Sequence, residues 1–183
     1  MKELRDRDLS NHSWVAVIRD CIRLSSDQVV GVAVGIDATG ANHVLDFSLG
    51  CTENLKMAKG IACSIHDARI FMRASFVCYS RCLRCLAVCG EEHFPDSEVQ
   101  RCLVHKERNI TGKLSRRLWC ELNRLFRRSR SVQSFESASE VVEDLKRFLD
   151  PINAEAYRSL LEAGEDLLAL HRLNVPNCYA VNC

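Results

Sequence analysis

QVVGVAVGIDATGANHVLDFSL, residues 28–49, reads as two strands and the turn between them. Gln28–Ile36 is β-branched and strand-like, and His43–Leu49 supplies the returning strand. DATGAN, residues 37–42, combines Asp, Gly and Asn, the residue types a hairpin turn needs. Just upstream, WVAVI (Trp14–Ile18) is a short apolar strand candidate. Three consecutive strands with short connections predict an antiparallel meander.

Further along, the period changes from strand to helix. Thr52 or Asn54 can cap a helix running from near Leu55 toward Ile65. Val99–Val104 predicts a further short strand, with Val99, Arg101 and Leu103 on one side. Lys113–Arg130 places Leu114, Leu118, Leu122, Leu125 and Phe126 at helical spacing, and arginines cover the remaining surface. Ser137-x-x-Glu140 reads as a capping box for a helix carrying Val141, Val142, Leu145, Phe148 and Leu149, which Asp150-Pro151 ends. Asn153 then caps a helix with Ala156, Leu160, Leu161, Gly164, Leu167 and Leu168. These leucine repeats read as core packing rather than as a cofactor box.

Composition narrows the class. The chain has 183 residues, 47% hydrophobic and 27% charged, which suits a soluble globular protein with a real core. No apolar run reaches the roughly 18 residues that a membrane span needs, so no membrane partner is expected. MKELRDRDLSNHS at the N-terminus is charged throughout, and no signal peptide is expected. Eleven cysteines, an odd number without scaffold spacing, predict a reducing, cytoplasmic setting. The net charge of +1 hides an uneven distribution. From Arg101 to Arg130 there are ten Lys/Arg against Glu107 and Glu121, a local balance of +8, and the acids recover from Glu136 to Asp166. Such asymmetry points to an anionic partner, nucleic acid first. The competing reading is a solvated arginine-rich face whose charge the fold neutralises.

Two patterns invite a metal. Cys78, Cys82, Cys85 and Cys89 would line one face if their segment were helical. One straight helix cannot wrap four thiolates around an ion, and buried cysteine behaves as a small hydrophobe, so packing is preferred. Cys102-x-x-His105 is half of a zinc site, with no well-spaced second pair after it.

Three segments resemble, in order, the Mutator-type bacterial insertion-sequence transposases. QVVGVAVGIDATGANHVLDFSLGCTEN (28–54) resembles their strand–turn–strand segment, HFPDSEVQRCLVHKERNI (93–110) their most recognisable motif, and LLALHRLNVPN (167–177) the segment before the last catalytic acid. The resemblance implies an α/β fold: a charged remnant at 1–13, a partial RNase H-like core at 14–110, and an all-helical insertion region at 111–183 that stops before that acid. It implies metal-dependent DNA strand transfer, with two divalent ions between three carboxylates. Mg²⁺ is the implied cofactor, since a hard ion takes oxygen ligands. By position Asp20 is the implied first catalytic acid and metal ligand, with Cys21 where the family usually has Gly. The second acid is expected near Ser80–Leu83, yet no acidic residue lies between Asp67 and Glu91. A shifted reading frame across 61–90, restored near Glu91, would account for this. Arg101, Lys106, Arg108, Arg116 and Arg117 are expected to contact phosphates, which supply affinity rather than sequence reading. Cys102, His105 and Asn109 are expected to support the motif near the active-site end of a strand. The expected partners are insertion-sequence ends, target DNA and further copies of the chain, in a bacterial cytoplasm. The expected function is that of a transposase piece inactive alone. The alternative is a non-catalytic nucleic-acid-binding protein that keeps the basic helical half.

Overall fold

A computed structural model describes residues 10–51, 59–61, 63–64, 72–79 (backbone) and 98–173. The chain divides into two compact units, Met1–Val99 and Gln100–Cys183. The segment 100–110 therefore belongs with the helices that follow it.

The first unit is built on a mixed sheet. Its strands are β1 (Trp14–Arg23), β2 (Val29–Asp37), β3 (Asn42–Gly50) and β4 (Met72–Tyr79), and a short β5 (Glu98–Arg101) straddles the division between Val99 and Gln100. The sheet order is β3-β2-β1-β4-β5. β1 runs antiparallel to β2, and β2 antiparallel to β3, which is the expected meander. β4 joins β1 in parallel, so β1 is a central strand. β1 is longer than WVAVI alone suggests, because Cys21, Ile22 and Arg23 stay paired with Gly31, Val30 and Val29. The 99–104 segment is not a six-residue strand: it pairs only through Arg101, and its neighbour is β4 rather than β1.

Register irregularities shape this sheet. Between Trp14 and Ala16 the pairing with β2 shifts, and a second shift falls between Ala33 and Val34. Such bulges break strict alternation, which is why Ala16 and Val17 are both buried, as are Leu45 and Asp46. On β2, Val29, Gly31, Ala33 and Gly35 face inward while Val30, Val32 and Val34 are half-buried. The small residues leave room for a large one. A Cβ added at Gly35 would lie 2.5 Å from Trp14 Cζ3 and 2.9 Å from Leu45 Cδ2.

The β2–β3 turn is tied by one carboxylate. Asp37 Oδ1 accepts from Thr39 N (2.8 Å), Thr39 Oγ1 (2.5 Å) and Ala41 N (3.1 Å). Gly40 N donates to Asp37 O at 2.9 Å, and Gly40 takes φ of 86°, a conformation that favours glycine. The Thr39 hydroxyl and then His43 hold the Asp37 carboxyl well below the usual carboxylate range.

Of the expected helix near 55–65, residues 59–61 and 63–64 are helical; the rest lies outside the described residues. Cys78 sits in strand β4, so the four-cysteine helical stripe does not begin there; Cys82, Cys85 and Cys89 lie outside the described residues, as does Ser80–Leu83.

The second unit is helical. α1 is Leu103–Thr111, α2 Trp119–Ser131, α3 Phe135–Leu149, α4 Ala154–Ala163 and α5 Ala169–Arg172, with 3₁₀ turns at Arg116–Leu118 and Gly164–Leu167. Leu103, Ile110, Leu122, Phe126, Leu145 and Leu160 lie in one buried cluster. Each such side chain contributes about 1.5–3 kcal/mol by leaving water. The expected helix from Lys113 starts late. Ser115 is extended, Gly112 ends α1, and Trp119 Nε1 donates to Leu114 O at 3.1 Å across the turn. The cap of α3 is Ser134 rather than Ser137: Ser134 Oγ accepts from Ser137 N at 3.1 Å. Asn153 caps α4 as expected, accepting from Glu155 N and Ala156 N, and its Nδ2 donates to Lys113 O. Among the described residues, no helix is long and apolar enough to cross a membrane.

Gly35→Ala should destabilise the first unit by about 1–3 kcal/mol, since the indole cannot retreat from a new methyl. Urea unfolding followed by Trp fluorescence would read this as a lower midpoint.

Candidate nucleic-acid interface

Asp20 lies on the central strand opposite Val32, one residue beyond Arg19, the last β1 residue paired with β4 among the described residues. It stands three residues before the end of β1. Its side chain is half-buried, and Oδ1 accepts from Cys21 N at 2.7 Å. Among the described residues it joins no group of three His, Cys, Asp or Glu side chains able to hold an ion. The described residues therefore do not assemble an oxygen-rich Mg²⁺ site around it.

QRCLVHKERNI straddles a strand end and a helix. Arg101 is the last residue of β5, and Cys102 (φ −65°, ψ 115°) is the N-cap position of α1. Cys102 is buried, and His105 lies within the first turn of α1. The two belong to no metal-ligand cluster among the described residues. Asn109 and Arg108 are exposed on α1. The expected strand over Val99–Val104 is corrected: it ends at Arg101, and Cys102 and His105 fall just past that strand end, at the start of a helix whose inward stripe is Leu103, Lys106 and Ile110. A lysine inside that stripe hides the helical period from a hydrophobicity reading.

Lys106 is 6% exposed. Its Nζ donates to Ser159 O at 2.9 Å and lies 3.6 Å from Glu162 Oε2. Burial pulls its ammonium below the ordinary lysine range, and Glu162 opposes that pull. Arg101 Nε lies 3.5 Å from Asp166 Oδ2, and burial likewise lowers its pKa against Glu162 and Asp166. Beneath them Gln100 is buried. Its Nε2 donates to Leu167 O (3.2 Å) and Arg101 O (2.7 Å), and its Oε1 accepts from Leu170 N (2.9 Å). One amide side chain thus satisfies backbone groups around the Gly164–Leu167 turn.

Other cations are also matched. Arg130 Nη1 donates to Glu107 Oε2 at 2.6 Å, Arg128 Nη1 to Asp144 Oδ2 at 2.6 Å, and Arg124 Nη2 to Glu121 Oε1 at 2.6 Å. Lys113 Nζ bonds Glu155. The acids between Glu136 and Asp166 thus neutralise much of the local +8. These pairs run from 16 positions apart (Arg128 and Asp144) to 65 (Arg101 and Asp166), so no local pattern in the chain marks them. Arg108, Arg116, Arg117 and Arg127 are exposed and make no ion pair among the described residues. Arg116 sits over the Trp119 ring, 5.8 Å from its centroid. Arg127 is the exposed cation that the sequence reading did not single out; its position one residue past buried Phe126 is the signal for it.

A family model described as "Transposase, Mutator family" matches residues 1–176 of the chain. A search of curated proteins finds no match.

Gln100→Leu should cost about 1–3 kcal/mol, because the Leu170 amide and Leu167 carbonyl would stay buried without the amide that satisfies them. Thermal unfolding by circular dichroism would show a lower midpoint with the helical spectrum retained at low temperature.

Proposed function

The chain belongs to the Mutator family of transposases, and from that premise we propose that it binds DNA through the exposed arginines of its helical unit and does not cut DNA by itself. The match over residues 1–176 is the observation that carries this reading. A mixed sheet with an antiparallel meander, a parallel β4 beside β1 and Asp20 on the central strand supports reading the first unit as a partial RNase H-like core.

Arg108, Arg116 and Arg117, joined by Arg127, are the phosphate contacts of this proposal. They are exposed and uncommitted to acids among the described residues, so counterions rather than carboxylates neutralise them until DNA arrives. Arg101 and Lys106 take a different role: they hold α4 and the following turn to α1, and shape the surface without touching DNA. Cys102, His105 and Asn109 support that segment. Asp20 alone cannot hold two ions, and the stretch between Asp67 and Glu91 has no acid to join it. DNA binding without strand transfer follows.

Binding to duplex DNA should weaken steeply with salt. Arg116→Ala with Arg117→Ala should reduce the slope of log K against log salt by about 1 per arginine. Lys106→Met should leave that slope unchanged, and a slope moved by Lys106→Met instead would overturn the assignment. A plasmid-nicking assay in Mg²⁺ should give the same background for the parent and Asp20→Ala; cleavage that disappears in the variant would show a working site.

A further inference from the structure

At the opposite end of β1 from Asp20, two imidazoles and a carboxylate converge. His12 precedes the strand, Asp37 ends β2 and His43 is the second residue of β3. Their donor atoms all lie within 4.8 Å of one another. We propose that His12 Nδ1, Asp37 Oδ2 and His43 Nε2 form a site for one zinc-class divalent transition-metal ion.

Four observations carry this. The donor set is two nitrogens and one oxygen, which suits zinc and its neighbours and is wrong for Mg²⁺. The spacing is near what coordination needs: Asp37 Oδ2 is 2.8 Å from His43 Nε2 and 3.9 Å from His12 Nδ1. Donors on a tetrahedral zinc are roughly 3.3 Å apart, given bonds of about 2.0–2.1 Å, so both Asp37 distances are within about half an ångström of that spacing, and the two imidazole donors lie within 4.8 Å of each other. The carboxylate is pre-aimed. Its Oδ1 is occupied by Thr39 N, Thr39 Oγ1 and Ala41 N, which turns Oδ2 toward the rings and fixes the ligand from behind. Last, the buried Trp14 ring walls the site, with centroids 5.0 Å from His12 and 5.3 Å from His43, while both imidazoles keep an exposed edge. An ion can enter from solvent, and water completes its shell.

The site is separate from the expected catalytic acid. Trp14 and Asp20 are six residues apart on an extended strand, roughly 20 Å at about 3.3 Å per residue. A bound ion would tie the segment before β1 to the hairpin that β2 and β3 form. The alternative is that His43 closes the turn by its bond to Asp37 with no ion.

The test uses the full chain, stripped with EDTA, kept reduced and titrated with Zn²⁺ and with Co²⁺. The expected result is a single equivalent bound, a visible Co²⁺ band without sulfur-to-cobalt charge transfer, and a higher melting temperature with Zn²⁺. Asp37→Asn keeps a carbonyl oxygen for the three turn donors and removes the ligand; His12→Gln alters a partly exposed residue outside the strands. Each should weaken binding at least about tenfold with unchanged far-ultraviolet circular dichroism, and Asp20→Ala should bind like the parent. No binding, a sulfur charge-transfer band, parent-like affinity in both ligand variants, or loss in Asp20→Ala would each overturn the proposal.

Discussion

The first unit depends on a flat ring lying where a side chain is missing. Trp14 is 1% exposed, and it fits because residue 35 has no Cβ. That approach needs the register shift beside Trp14, which puts the indole opposite Asp37 rather than on the regular alternation. With the indole in place, His12 and His43 gather around it and Asp37 ends the strand beneath them. The hairpin, the bulge and the histidine cluster are therefore one packing solution. Its opposite end carries Asp20 on the same strand, so a disturbance at residue 35 reaches β1 as a whole.

The helical unit solves a different problem, a surplus of cations. Glu162 and Asp166 stand one helical turn apart in sequence and face Arg101 and Lys106. The pair does not add much stability by itself, since desolvation offsets attraction when charge is buried. It ties α4 to α1 at the turn where Lys106 Nζ donates to the Ser159 carbonyl. What stays outside is a smaller set of arginines than the composition suggests.

How much of this was legible in the residues depends on the range of the interaction involved. β2, β3 and the DATGAN turn follow from β-branched runs and local Asp–Gly chemistry, and the structure reproduces them within a residue. Asn153 as a cap is equally local. Errors cluster where distant partners decide. The apparent strand from Val99 becomes a helix after Arg101, since Leu103, Lys106 and Ile110 find a helical core and a backbone acceptor on α4. The helix before Trp119 gives way to a turn because Leu114 is needed in the core and Asn153 takes the Lys113 carbonyl. Asp20 is singled out by family resemblance alone, since among the described residues its carboxylate accepts from a neighbouring amide. The His12–Asp37–His43 grouping has no local sequence signal, because its members come from the segment before β1 and from both strands of a hairpin.

The mixed sheet also sets an order of assembly. β1, β2 and β3 meet across short turns, so little chain entropy is lost in closing them. β4 must bring Phe76 back to Ala16 in parallel, across a long crossover. The meander can thus act as the nucleus on which the later strand condenses. Until that happens one edge of β1 is bare, and a newly made chain exposes a template for strand pairing with another molecule.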